Sequence, residues 1–211
     1  MSTRVTISLP CFGRPLRTKR SIECILDQDI TGWEAFIMGD ACPDFQKLID
    51  SGYLQTIKEE QEKRGNIIHF FNAEENGGGC GYKLTNHAIA NASGKYFTFF
   101  ANDDIIQPNH LRHYLSEIEG TDYGMVYYNS RLVPLNGTRD TLMQISCIGH
   151  CDIIIKTELA KQLTPHSDRY VHDWNFIYEA CTKGTCKKAK SVNPTYHVMR
   201  LPSQPTIETI D

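Results

Sequence analysis

Short runs of β-branched and aromatic residues alternate along the chain with stretches whose apolar positions recur every three or four residues. Val5-Thr6-Ile7-Ser8-Leu9 predicts a strand, and the turn residues from Pro10 to Pro15 end it. From Leu16 to Gln28 the apolar Leu16, Ile22, Ile25 and Leu26 fall on one helical face, and Pro15 suits a first turn, where its missing N–H is no loss. Trp33 to Met38 predicts a second strand, closed by Gly39-Asp40. The charged stretch Gln46 to Arg64, with apolar Leu48, Ile49, Leu54 and Ile57, predicts a helix, and Ile67 to Phe71 a third strand. After a Gly-rich bend, Gly81 to Ala92 has helical spacing at Leu84, Ala88 and Ala92. The aromatic strand Tyr96 to Phe100 then runs straight into Asn102-Asp103-Asp104.

Strands alternating with helices in this first half predict an α/β protein whose mostly parallel sheet is covered by helices on both faces. Ligands are then expected at the carboxyl ends of the strands. The second half is less regular. A helix is expected near Asn109 to Glu119, strands near Gly124 to Asn129 and Asp152 to Lys156, a helix near Trp174 to Lys183, and a strand-like stretch from Ser191 to Met199. With no internal repeat and no linker, residues 1–211 read as one domain.

At 211 residues with 40% hydrophobic and 22% charged, the chain has the balance of a globular domain with a full core. No apolar run approaches the roughly 18 residues that span a bilayer, and Met1 to Pro10 carries no export signal, so a cytoplasmic protein is expected. A net charge of −3 creates no global field for nucleic acid. The one basic cluster, Lys183, Lys187, Lys188 and Lys190, reads equally well as a solvated strand face. The eight cysteines are scattered in a chain long enough to fold without staples, and reduced thiols are expected. Cys147, His150 and Cys151 lack the second well-spaced pair of a structural zinc site, and Cys181 and Cys186 have the wrong interval for one.

Three segments carry candidate chemistry. Asp103 and Asp104 are adjacent carboxylates at a strand end, which repel unless donors or a hard cation such as Mg²⁺ or Mn²⁺ stabilise them; an Asn/Asp turn is the plain alternative. The bend Asn76-Gly77-Gly78-Gly79-Cys80-Gly81 leads into a helix and lets backbone N–H groups approach an anion, although a flexible turn explains the glycines as well. Asp173, in His172-Asp173-Trp174, suits a helix N-cap or a general base beside an aromatic wall.

In this order the pieces resemble the family-two glycosyltransferases of the GT-A (nucleotide-diphospho-sugar transferase) fold, from about Val5 to Met199. Pro10-Cys11-Phe12-Gly13-Arg14 is similar to the family's first loop, with Phe12 in the place of the ring that stacks on the base. Asp40 matches the acid that bonds the base, and Asn76 to Gly94, with Gly78 and Asn86, matches the Asn-x-Gly-Gly segment. Ala101-Asn102-Asp103-Asp104 matches D-x-D-D, and Asp173 the late acidic motif. The resemblance implies a nucleotide-binding half over 1–104 and an acceptor half over 105–211. It further implies a donor site of Pro10, Phe12, Arg14, Asp40, Gly78, Lys83, Asn86 and Asp103, and a metal held by Asp104 with Asp103. Asp173 becomes the base of an inverting displacement, and UDP is the favoured carrier. His197 lies where some relatives place a late metal ligand.

Three positions depart from the pattern: Ala101 replaces the first acid, Thr85 the usual Arg before Asn86, and Gly13 the loop Asn. Lys83 or Arg14 is expected to supply the missing charge near the diphosphate. A nucleotidyltransferase has a related fold but usually a basic Gly-rich loop after its first strand, which Gly13-Arg14-Pro15 does not resemble. A sugar-nucleotide-binding protein without catalysis is the alternative that Ala101 and Thr85 leave open. The compact chain also resembles glycosyltransferases of tailed bacteriophages, some of which decorate hydroxymethylated DNA bases. Modified DNA is therefore one expected acceptor, in the host cytoplasm for a phage-encoded protein, and a glycan is another. Membrane work is not expected from the stretch Pro202-Ser203-Gln204-Pro205 and its acidic end.

Overall fold

The structure, a computed structural model, describes residues 3–78, 81–133, 135, 137–167, 172–189 and 193–199. Gly79 and Cys80 of the bend, Lys190 of the basic cluster, Ser191 and the Pro202 to Pro205 stretch lie outside these residues. The first half runs β1 (Val5–Cys11), α1 (Pro15–Leu26), β2 (Trp33–Gly39), α2 (Pro43–Asp50), α3 (Tyr53–Lys63), β3 (Ile67–Asn72), α4 (Tyr82–Asn91) and β4 (Tyr96–Phe99). The second runs β5 (Ile105–Ile106), α5 (His110–Ile118), β6 (Met125–Tyr127), β7 (Ser130–Val133), β8 (Gly137–Arg139), β9 (Ile153–Lys156), α6 (Thr157–Ala160), α7 (His172–Lys183), β10 (Cys186–Lys188) and β11 (Tyr196–Met199).

A seven-stranded sheet has the order β10-β6-β9-β4-β1-β2-β3, and a four-stranded sheet the order β5-β11-β7-β8. In the larger sheet β1 pairs in parallel with β2 on one side and β4 on the other, and β2 with β3. Among the described strands only β9 runs antiparallel there, against β4 and β6. Because both faces are covered, β2 is buried at every position. Val5, Ile7 and Leu9 pack with Ile22 and Ile25 of α1 on one face. Phe36, Met38, Phe97 and Phe99 pack with Leu84 and Ala88 of α4 and Ile177 of α7 on the other. Each such side chain, fully buried, contributes roughly 1.5–3 kcal/mol.

The chain runs outward from β1 through β2 to β3 and then crosses back to place β4 on the other side of β1, so a crevice opens at the carboxyl ends of β1 and β4. The single helix expected from Gln46 to Arg64 is two helices, broken at Ser51-Gly52, where Gly52 adopts φ 76°. Cys181 and Cys186 correct the expectation of reduced thiols, because they form a disulfide. The chain turns through Gly184-Thr185 from α7 straight into β10 and brings the two Cα atoms to 5.4 Å. Cys11, Cys24, Cys42, Cys147 and Cys151 are free. Among the described residues no helix is long and apolar enough to cross a membrane.

Candidate active site

β1 ends beside a cleft of about 950 Å³. Gly13 and Arg14 both take left-handed backbone angles, φ 58° and 51°, which reverse the chain into α1 with Pro15 in its first turn. Thr18 donates its hydroxyl to the Gly13 carbonyl at 3.3 Å. This tight reversal leaves the Phe12 ring 58% exposed on the cleft wall. Pro10, Arg14, Asp40, Gly78 and Asp103 line the same cleft, so six of the expected donor-site residues come together.

Asp40 follows β2 and is buried, yet its carboxylate has a specific task. Its Oδ1 accepts the Gly77 N–H at 2.6 Å, while the Asn76 amide donates to its carbonyl at 3.1 Å. The Gly-rich bend is thereby tied to the end of β2. A Cβ at Gly77 would come within 3.2 Å of the Lys83 side chain and 3.3 Å of Asp40 Oδ1, which accounts for glycine there. Lys83 thus stands behind the bend. Asn86 does not reach the cleft as expected. Its side chain pairs with the backbone of His166, donating to the carbonyl at 2.9 Å and accepting the N–H at 2.8 Å, and so fixes a loop of the second half.

The loop after β4 sends its two acids in different directions. Asp103 faces the cleft and forms an ion pair with Arg14, while Arg20 donates to the Asp103 carbonyl at 2.8 Å. Asp104 turns inward. Its carboxylate accepts the Tyr196 hydroxyl and the Met199 N–H, each at 2.7 Å. Burial pushes it up to about 6, against the opposing pull of these two bonds. Asp104 was expected as the leading metal ligand, and here its two oxygens accept hydrogen bonds from β11. His197 follows Tyr196 on the same strand and faces the other way, with its ring 3.2 Å from the Gln107 amide. Among the described residues no three His, Cys, Asp or Glu side chains gather as a metal cluster, so Asp103, Asp104 and His197 do not form one.

A second cavity, about 190 Å³, shares Pro10 and Ala101 with the cleft and contains Asp173. α7 begins at His172, so Asp173 lies inside its first turn rather than at the cap. The carboxylate meets His150 twice, at 2.7 Å from Nδ1 to Oδ1 and at 3.3 Å from the backbone N–H to Oδ2. The His150 ring stacks on Phe99 with centroids 4.6 Å apart, and His166 stands edge-on to it at 4.2 Å. His150 entered the sequence argument only as a zinc candidate and His166 not at all. Both adjoin Asp173 through the fold alone, with no local pattern to signal it.

Each described lysine of the basic cluster has an acidic partner. Lys183 pairs with Glu179 at 2.7 Å, Lys187 with Glu117 at 3.3 Å and Lys188 with Asp140 at 2.6 Å.

The sequence profile of glycosyl transferase family 2 matches residues 6–183. An uncharacterized glycosyltransferase of Rickettsia bellii is 28% identical over 135 residues, covering 63% of this chain and 18% of that protein. One of Rickettsia typhi is 27% identical over 121 residues, covering 57% of this chain and 34% of that protein. The chain therefore spans 18% to 34% of the length of these curated relatives. Among solved structures, S. aureus TarS 1-349 in complex with UDP-GlcNAc superposes with a TM-score of 0.75 at 16% identity, covering 95% of this chain and 60% of TarS 1-349. The mannosyltransferase PcManGT of Pyrobaculum calidifontis, in complex with GDP-Man and Mn²⁺, superposes with a TM-score of 0.69 at 15% identity, covering 97% of this chain and 59% of the other. At such identities the likeness is one of fold, and the fold is GT-A.

Proposed function

The chain belongs to glycosyl transferase family 2, and from that premise we propose that it moves a sugar from a nucleoside diphosphate, UDP favoured, to an acceptor hydroxyl with inversion. The observation that carries this reading is the junction of two cavities at Pro10 and Ala101, one walled by Phe12, Arg14, Asp40 and Asp103, the other by Asp173. Phe12 offers an exposed face for the base, and Asp40 a carboxylate at the neighbouring strand end for its polar edge. Arg14 stands at the start of α1, where a guanidinium and a helix N-terminus both favour a diphosphate. The nucleotide sugars bound by TarS and PcManGT support a donor of this class.

The donor set fits a divalent ion of one kind. Asp103 is a hard oxygen ligand on the cleft wall, suited to Mg²⁺ or Mn²⁺ that takes its remaining ligands from substrate phosphate and water, but not to an all-protein cage. Bound there, such an ion supplies Lewis-acid stabilisation of the leaving diphosphate. Asp173 takes the acceptor proton as the acceptor oxygen bonds to the anomeric carbon, and the bond to the diphosphate breaks with its electron pair leaving on phosphate oxygen. One displacement inverts that carbon. The acceptor supplies the hydroxyl, on a hydroxymethylated DNA base or on a glycan. Incubation with UDP-, GDP- and ADP-sugars, with and without Mn²⁺, tests the reading. Release of UDP should dominate and rise with the ion. If no nucleotide sugar is bound in calorimetry or turned over, the reading fails.

A further inference from the structure

Asp173 projects from the first turn of a helix with 37% of its side chain exposed, a setting in which a short carboxylate ordinarily samples several rotamers. Here one residue holds both of its oxygens. His150 offers its Nδ1 to Oδ1 at 2.7 Å and its backbone N–H to Oδ2 at 3.3 Å, and only 11% of the His150 side chain is exposed. The imidazole is fixed in turn by Phe99 at 4.6 Å, by the His166 edge at 4.2 Å and by Phe176 at 5.5 Å. Its backbone is fixed as well. His150 opens a short turn through Asp152, and the wholly buried Asp152 carboxylate accepts the Gly149 N–H at 2.8 Å.

We infer that His150 is a positioning residue for transfer: its ring and backbone clamp the Asp173 carboxylate in the orientation from which it meets the acceptor hydroxyl. The inference rests on the reading of Asp173 as the base. A neutral imidazole with its proton on Nδ1 donates to Oδ1 and leaves Asp173 anionic, so the carboxylate remains able to accept a proton while its rotamer is set. His150 itself neither gains nor loses a proton in the step. Misplacement of a reacting group by about 1 Å can lower a rate about 100-fold, which is the scale on which such a clamp matters.

The test compares His150→Leu, which removes the ring donor, with His150→Asn, which keeps an N–H near the Nδ1 position. With a nucleotide-sugar donor, His150→Leu should lower kcat by about tenfold or more with donor KM unchanged, and His150→Asn should restore most of the loss. A wild-type kcat in His150→Leu, or equal impairment in both variants, overturns the inference. Imidazole ¹⁵N spectra of the intact wild-type chain, recorded above the histidine titration range, decide the matter even if His150→Leu does not fold. The Nδ1–H tautomer is expected, and an Nε2–H tautomer removes the donor on which the clamp depends. Asp173→Asn is assayed alongside. Near-normal transfer there overturns the base reading itself, whereas loss there with His150→Leu unimpaired overturns the role of His150 alone.

Discussion

Arg139 and Asp152 form an ion pair whose carboxylate is wholly buried and whose guanidinium is partly exposed. Asp152 has no exposed surface, and Arg139 Nη2 lies 2.6 Å from its Oδ1 while Arg139 Nε donates to Ser130 at 2.9 Å. The pair joins β8 of the small sheet to the turn that starts at His150. Removing the cation leaves a buried carboxylate without its counter-charge. Arg139→Met should therefore destabilise the protein by about 3–5 kcal/mol, read as a fall in the urea midpoint. Replacing both partners, Arg139→Met with Asp152→Leu, should recover little of that loss, since the Gly149 N–H and the Ser130 hydroxyl then lose their acceptor.

Glu34 on β2 makes stability depend on acid. Burial alone would raise its proton affinity, but His69 at 3.0 Å, the Thr6 hydroxyl at 2.6 Å and Ser93 N–H and hydroxyl at 2.8 and 3.0 Å bring it to about 2, below its ordinary 4.5. A carboxyl depressed on folding contributes its full stability above the unfolded value and loses it as pH falls through the folded one. The contribution, about 3 kcal/mol, should thus fade from about pH 5 to pH 2. Glu34→Gln should be less stable than wild type at pH 7 and converge on it toward pH 2 in thermal melts. A difference that stays constant across this range would refute the assignment.

The strands expected at Val5, Trp33, Ile67 and Tyr96 each begin where the structure begins them. The central β1, β2 and β4 are almost wholly buried and carry few polar positions, whereas β3, at the sheet edge and only partly buried, is legible from its own short apolar run. β5, β7, β8 and β10 were not legible. They have two to four residues each and mostly partial burial, too short for either periodicity to register. The Gly-rich bend and the first loop were readable because their chemistry is local. Asp103 and Asp104 were readable as a pair but not individually. What separates them is Tyr196, 92 positions further on, and likewise what qualifies Asp173 is His150, 23 positions before it.

Phe12 should matter to binding and not to folding. Its ring is 58% exposed and stands on the cleft wall, so Phe12→Ala removes little packing from the core. Stacking between a base and an aromatic ring contributes about 1–3 kcal/mol, so UDP affinity should fall about 5- to 150-fold with the melting temperature unchanged. Calorimetric titration checks both halves. Purine diphosphates displacing a UDP ligand as well as UDP does would remove the pyrimidine preference assigned to Phe12 and Asp40.

Asp103 and Asp104 should fail in different ways when neutralised. Asp103 faces the cleft beside Arg14, so Asp103→Asn should weaken the binding of a nucleotide sugar and abolish most of its dependence on Mn²⁺, with little change in stability. Asp104 faces Tyr196 and Met199, and its carboxyl is raised to about 6 from 3.8, chiefly by burial. For an acid raised on folding, the protonated form is favoured in the native state. Its contribution to stability is complete below about pH 4 and is lost as pH rises through about 6. Asp104→Asn cannot ionise, so its stability relative to wild type should improve by up to about 3 kcal/mol between pH 4 and pH 8, while its Mn²⁺-dependent donor affinity stays near normal. Paired calorimetry and pH-resolved melts of the two variants separate the roles. If Asp104→Asn loses the ion dependence and Asp103→Asn keeps it, the metal returns to Asp104, and the inward hydrogen bonds from Tyr196 and Met199 must rearrange when donor binds.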